Sequence, residues 1–278
     1  MIRSLKSISK RKRTLITTVL ALGFLVSVIV GGIILDEESI STNLNLRNTS
    51  PSLDHLFGTD WLGRDMFSRT VMGLSLSIGI GLIGAVGSTF IALLLGMIAA
   101  TMGKVTDRII SWLIDLFLSV PHLVTLILIS FTLGGGFKGI VIGIALTHWP
   151  SLARVIRAEV MQTRTNEFVH VSKKMGKSRW WIATQHILPH IFPQILVGFI
   201  LLFPHVILHE AAVTFLGLGL SPHEPAIGII LSESMKYLSS GMWWLAFFPG
   251  LCLLIIVQVF DVIGEKLRLL IDPNRAHE

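Results

Sequence analysis

The chain of 278 residues is 52% hydrophobic and only 14% charged, with a mean hydropathy of +0.73. Soluble domains carry about a quarter charged residues, so this composition excludes a soluble core with an anchor and indicates one membrane domain. The net charge of +6 does not indicate nucleic acid, because the basic residues flank apolar runs as orientation signals do. The single cysteine, Cys252, excludes an intrachain disulfide and a cysteine metal site.

A basic tail (1–14) containing Lys10, Arg11, Lys12 and Arg13 precedes an apolar run over 15–35. That run is longer than the roughly 7–15 residues of a signal-peptide core. It ends at Asp36-Glu37-Glu38 without a small-residue cleavage site. It is expected to be a retained first transmembrane helix. A polar stretch, 36–73, follows as an extracytoplasmic segment. Five more runs approach the roughly 20 apolar residues a span needs: 74–102, 111–133, 137–153, 191–216 and 243–264. The fourth is short and glycine-rich. Its Gly139 and Gly143 have the G-x-x-x-G spacing that allows close helix approach, although glycine is common in membrane helices in any case. The expected fold is therefore an all-α integral membrane protein with six transmembrane helices. Residues 74–264 form a five-helix core interrupted by a cytoplasmic segment over 154–190, and 265–278 form a C-terminal tail.

Basic residues orient this arrangement. Arg3, Lys6 and the Lys10–Arg13 cluster lie in the N-terminal tail, Lys104 and Arg108 in the second loop, and Lys266, Arg268 and Arg275 in the C-terminal tail. The long fourth loop holds Arg154, Arg157, Arg164, Lys173, Lys174, Lys177 and Arg179. Only Arg47, Arg64, Arg69, Lys138 and Lys236 fall on the other side. The positive-inside rule then puts both termini in the cytoplasm.

Within that fourth loop, Glu167 to Met175 reads as a helix offering Phe168, Val169, Val171 and Met175 to one side, broken at Gly176. Trp180, Trp181 and Ile182 make an interfacial anchor. Such an element can dock in a partner's groove or simply lie on the membrane surface. In the fifth span His205 and His209 are one turn apart, on one helical face, with Glu210 beside them. Ionisable groups in spans are costly and usually face a cavity or a partner. Paired imidazoles can bind nickel, cobalt or zinc transiently, or hydrogen-bond to neighbouring helices. His148 and His122 are further candidates for the same path.

Two enzyme readings fail on spacing. His209-Glu210 begins a zinc-protease signature, but Val213 stands where the second histidine belongs. Gly176-Lys177-Ser178 resembles the end of a phosphate loop, but Val171 replaces its first glycine and no strand pattern precedes it. No cofactor is expected on this chain, and it does not bind ATP by that route.

Glu167-Phe168-Val169, Gly176 and His186-Ile187-Leu188-Pro189 together resemble the coupling loop of ABC-importer permeases. That family's pattern is Glu-Ala-Ala, three residues, Gly, nine residues, Ile, one residue, Leu-Pro. Gly176, Leu188 and Pro189 match. His170, Val171 and Ser172 stand in the Glu-Ala-Ala positions and His186 in the Ile position, a departure that suits the peptide/nickel branch. The stretch from His55 to Arg69, with Gly58, Thr59, Asp60, Gly63, Arg64 and Asp65, resembles the segment before the second span of C-type permeases of dipeptide, oligopeptide and nickel importers. Asp107-Arg108, Asp115, Pro121, Phe215 to Gly219 and Asp272-Pro273 fit later landmarks of that group.

The resemblance implies a type I ABC-importer permease fold and a non-catalytic role. It also implies a homologous B-type permease as heterodimer partner, two ATPase subunits that bind ATP and magnesium, an extracytoplasmic solute-binding protein and surrounding lipid, with no nucleic acid. It assigns Glu167, Phe168, Val169, Gly176, Leu188 and Pro189 to ATPase coupling, and Asp60, Arg64 and Asp65 to a tie with the partner permease. His205 and His209, with Glu210 and His148, are expected to line the substrate path, and His205 and His209 to touch a metal. The paired histidines resemble nickel-type permeases, so nickel, cobalt or a metal–metallophore complex is the expected cargo and a di- or oligopeptide the alternative.

Overall fold

A computed structural model describes residues 10–271. Arg3, Lys6, the Asp272-Pro273 pair and Arg275 lie outside the described residues. Regular structure among these residues is helical, with an isolated bridge pairing Thr59 with Asp65. The main helices are α1 (Lys10–Ile34), α2 (Met66–Thr101), α3 (Lys104–Ser119), α4 (His122–Thr132), α5 (Gly136–Thr147), α6 (Trp149–Thr163), α7 (Glu167–Lys174), α8 (Arg179–Ile182), α9 (Leu188–Phe215), α10 (Ile227–Met235) and α11 (Trp244–Ile271).

Among the described residues, five helical stretches are long and apolar enough to cross a membrane: Leu15–Ile34, Met66–Thr101, Gly136–Thr163, Arg179–Phe215 and Trp244–Leu269. The expected third span, 111–133, is not straight. It corresponds to α3 and α4, which meet at a bend of 95°. Pro121 causes this. It has no N–H to donate, and its ring pushes the preceding residue out of the helical region; Val120 is extended at φ −93°, ψ 139°. The pair counts as a sixth crossing only if both arms form one broken span.

The fourth and fifth crossings overrun their expected limits. Pro150, in the first turn of α6, presets helical φ, and the helix continues to Thr163. Arg154 and Arg157 therefore stand on a helix rather than in a loop. They reach across to α3, where Arg157 makes a bidentate pair with Asp107 and Arg154 Nη2 lies 2.7 Å from Asp115 Oδ1. Arg164 donates to the carbonyl of Ala100 at the end of α2. Likewise α8 runs through a π-turn at Ala183–Ile187 directly into α9.

Two apolar clusters organise the packing. One gathers α1, α2, α4, α5, α9, α10 and α11 around Ile80, Ile144, Phe203 and Ile256. The other joins the C-terminal half of α2 to α3, α6, α7, α8 and the start of α9 through Ile114, Ile156, Val169, Ile182 and Ile187. The paired glycines of α5 have a packing role. A Cβ on Gly139 would fall 2.7 Å from the Ser130 carbonyl oxygen, and one on Gly143 2.8 Å from Leu126 Cδ1. Glycine there lets α5 lie directly against α4, as small residues do between membrane helices.

Candidate functional site

Three groups of the expected residues take up distinct positions. The first closes the polar segment before α2. Asp65 caps α2: its Oδ2 accepts from Ser68 N at 2.8 Å and from Ser68 Oγ at 2.9 Å, while Oδ1 lies 3.0 Å from His55 Nδ1. A side-chain oxygen at this position satisfies helix N–H groups that have no intrahelical partner. Gly58 and Gly63 both have positive φ, and a Cβ on Gly63 would lie 1.8 Å from the Asn43 carbonyl oxygen. Buried Thr59 donates to the Leu46 carbonyl and accepts from Thr49 N at 2.9 Å.

Asp60 is fully buried. Its Oδ1 accepts from the amides of Leu62 at 2.8 Å and Arg64 at 3.0 Å; its Oδ2 accepts from Arg64 Nε at 2.7 Å and Arg69 Nη1 at 2.9 Å. Arg69 Nη2 in turn donates to Glu233 Oε2 on α10 at 2.9 Å. Within the chain these residues link the segment to α2 and α10, and Arg64 Nη2, which has no hydrogen bond, lies 3.6 Å from Glu233 Oε2. Arg69, the last residue of the His55–Arg69 stretch, and Glu233 complete the network; sequence pattern did not join them, because a basic residue in an apolar helix and a distant glutamate share no local spacing.

The second group is the expected coupling element. Its helix, α7, ends in a Schellman motif: Gly176, at φ +78°, donates to the Lys173 carbonyl at 3.0 Å, and Lys177 N donates to the Ser172 carbonyl at 3.2 Å. Val169 does not belong to the free side of this helix. It is 0% exposed, whereas Phe168, Val171 and Met175 are 38%, 56% and 70% exposed. Residues 169 and 171 are two apart, about 200° around a helix, so one anchors α7 on its own chain while the other faces away. Glu167 and Pro189 are exposed and Leu188 half-buried at the junction with α9. A cavity of about 440 Å³ lies between α7, α8 and the end of α2, with Arg164, Lys173, Lys177 and Arg179 in its wall. Lys177 Nζ sits 4.7 Å over the Trp181 ring, a cation–π arrangement.

The third group is a histidine cluster at breaks between helices. His122 opens α4 just after Pro121, His148 stands between α5 and α6, and His209 comes from α9. His148 is buried, at 5% exposure, and the other two are half-buried. One nitrogen from each ring lies within 4.8 Å of the other two. His205 does not join them: it is exposed, and of the expected His205–His209 pair only His209 enters the cluster. Glu210 does not join the cluster either. It is fully buried and accepts from Thr214 Oγ1 at 2.9 Å, because a residue one step after His209 points about 100° away around the helix.

Residues 92–272 match the family described as binding-protein-dependent transport system inner membrane component. The chain is 33% identical to the dipeptide transport system permease protein DppC of Alkalihalophilus pseudofirmus, over 97% of this chain and 88% of that protein. It is 30% identical to DppC of Bacillus subtilis, over 97% and 84%, and 36% identical to the oligopeptide transport system permease protein OppC of the same organism, over 84% and 76%. Among solved structures it resembles an inward-facing conformation of the MetNI methionine ABC transporter. The TM-score is 0.61, with 18% identity, over 73% of this chain and 96% of that one.

Proposed function

We propose a cargo and a set of contacts for this chain, which belongs to the family of binding-protein-dependent transport system inner membrane components. It is the permease subunit of a bacterial ABC importer, a multi-pass protein of the cytoplasmic membrane that is not catalytic by itself. Such an importer works with ATPase subunits and with a binding protein that delivers cargo.

The cargo is a di- or oligopeptide. The observation that carries this is similarity to dipeptide permeases along 97% of the chain. It favours peptides over the free nickel or cobalt suggested by the spacing of His205 and His209. A second reading, a metal–chelate cargo, is favoured by the cluster of His122, His148 and His209.

The chain pairs with a homologous B-type permease, and both its termini face the cytoplasm, a topology supported by the concentration of Lys and Arg on one side. α7 docks on an ATPase subunit. Val169 holds the helix to the second apolar cluster, Phe168, Val171 and Met175 present an apolar edge, and Gly176 sets the turn into α8. ATP binding moves the ATPases, and because Val169, Ile182 and Ile187 share one core with α2, α6 and α9, displacement of α7 is transmitted to three crossings. Rocking of helices about a central path is the corresponding mode of alternating access.

The test is uptake into proteoliposomes containing the whole importer, comparing a labelled dipeptide with labelled nickel. ATP-dependent dipeptide uptake is expected. Nickel uptake without dipeptide uptake would overturn the peptide reading.

A further inference from the structure

His122, His148 and His209 are arranged more specifically than three histidines sharing a neighbourhood. His148 Nδ1 lies 3.2 Å from the Ile144 carbonyl oxygen and 3.2 Å from Thr147 Oγ1. A carbonyl can only accept, so this contact places the His148 proton on Nδ1 and leaves Nε2 with a free lone pair. His209 Nδ1 lies 3.0 Å from that nitrogen, whereas His122 Nε2 lies 3.1 Å from Nε2 and 3.2 Å from Nδ1 of His148, over the ring rather than along its lone pair. The N–H and the lone pair of an imidazole lie in the ring plane, so His122 Nε2 has neither to pair with on His148. A cation among the three would give that nitrogen a partner, with each ring turning one lone pair inward. Fixing the tautomer of a histidine through the proton on its other nitrogen is also how proteins orient metal-binding imidazoles.

The dimensions fit. Metal–nitrogen bonds of about 2.0–2.1 Å place neighbouring ligand nitrogens about 2.9 Å apart at right angles and about 3.4 Å apart in a tetrahedron. The separations of 3.0 and 3.1 Å lie between these values; two nitrogens on one ion lie at most about 4.2 Å apart, so within the 4.8 Å that bounds the cluster the His122 ring turns inward to bind. Imidazole suits nickel, cobalt, copper and zinc rather than magnesium or calcium, which prefer oxygen. Three protein ligands leave coordination positions open, as in sites that exchange a ligand. His122 and His148 stand where helices break, with His209 inside α9 beside them, and discontinuous helices are where transporters place cargo.

The ligand set is also uncharged. The cluster contains no carboxylate, and the adjacent Glu210 is turned away and bonded to Thr214. A divalent ion held by neutral imidazoles alone would keep its full charge within the membrane domain, at high cost. The balancing anion must arrive with the ion.

We propose that His122, His148 and His209 form a transit site for a divalent transition-metal ion, with the open positions filled by carboxylate and amine groups of a peptide-like carrier. This deepens the reading of the chain as the wall of an import path and rests on it.

The experiment uses the intact importer in lipid nanodiscs, probed with Ni²⁺ alone and with Ni²⁺ premixed with glycylglycine. Equilibrium binding and X-ray absorption are the readouts. Saturable binding with three imidazole nitrogens in the spectrum is expected, tighter when glycylglycine is present. His148→Ala, His122→Ala and His209→Ala should each weaken binding at least tenfold, whereas His223→Ala, an exposed histidine elsewhere, should leave it unchanged. Absence of saturable binding, or a bound ion whose spectrum lacks imidazole, overturns the proposal. The wild-type spectrum decides even if a variant fails to assemble. Labelled dipeptide uptake by the same preparation separates the two readings: uptake without metal binding removes the site alone, and metal binding without dipeptide uptake removes the peptide reading alone.

Discussion

Arg69 Nη1 lies 2.9 Å from Asp60 Oδ2, and both side chains are almost entirely shielded from solvent. Removing one member of a buried ion pair strands the other charge and costs about 3–5 kcal/mol. Asp60→Ala leaves Arg69 facing the carboxylate of Glu233 alone, with Arg64 competing for it at 3.6 Å. We therefore expect Asp60→Ala to lower the thermal unfolding midpoint of the purified importer sharply. Asp60→Leu combined with Arg69→Met should recover part of the loss, because it leaves Arg64 and Glu233 facing each other at 3.6 Å rather than a stranded charge, while the amides of Leu62 and Arg64 still lose their acceptor. A double variant as unstable as Asp60→Ala would show that the pair's geometry, rather than its charge, holds the segment.

Gly176 separates backbone strain from crowding. Its φ is +78°, and no atom lies within 4 Å of where a Cβ would stand. The cost of any side chain is then the left-handed conformation itself, about 1–2 kcal/mol for an ordinary residue, with Asn tolerated better. Gly176→Ala and Gly176→Leu should impair ATP-driven uptake to a similar degree, while Gly176→Asn keeps most of it. Measuring uptake and ATP hydrolysis together checks this. A graded loss with side-chain size would instead indicate that a partner surface packs against this turn.

Much of the fold is legible in the sequence because apolar length is a local property. The first and last crossings begin and end within a few residues of their expected positions. The bend at Pro121 was signalled by the proline itself, but a hydropathy average across 111–133 does not register a change of direction. The overrun of α6 past Arg154 was hidden for the opposite reason: the charges that read as a loop are satisfied by Asp107 and Asp115 on another helix. The histidine cluster was only half visible. Helical spacing pairs His205 with His209, whereas the ring that approaches His209 is His148, 61 positions away, brought there by the break between α5 and α6. Spacing within one helix carries no information about a third or fourth helix.

The two sides of α7 predict separable defects. Val169 is fully buried in the second apolar cluster, so Val169→Ala should destabilise the permease by about 1.5–3 kcal/mol from lost burial and the resulting void. Val171 and Met175 are exposed. Val171→Glu should leave the unfolding midpoint of the permease near that of the wild type yet reduce retention of the ATPase subunits during purification. Affinity capture of the importer through this chain, followed by quantification of the bound ATPase, gives the answer. Equal retention for both variants would remove α7 as the docking element.

The glycines of α5 offer an internally controlled test of close packing. A Cβ at position 143 meets Leu126 Cδ1 at 2.8 Å, and one at 139 meets the Ser130 carbonyl oxygen at 2.7 Å, whereas a Cβ at Gly79 of α2 meets nothing within 4 Å. Leu126 sits at the end of a flexible side chain and can yield; the Ser130 carbonyl belongs to the backbone of α4 and cannot move without displacing that helix. Gly139→Ala should therefore cost more than Gly143→Ala, within the roughly 1–3 kcal/mol typical of overpacking. Gly79→Ala should be neutral or stabilise by up to about 1 kcal/mol, because alanine is the better helix former. Because α4 carries His122 at its first turn, displacement of α4 by Gly139→Ala should also open the His122–His148 separation from its present 3.1 Å. Unfolding midpoints of the three variants in one detergent, ranked Gly79→Ala above Gly143→Ala above Gly139→Ala, are the expected result. Gly139→Ala as stable as Gly79→Ala would mean that α4 and α5 do not lie this close together.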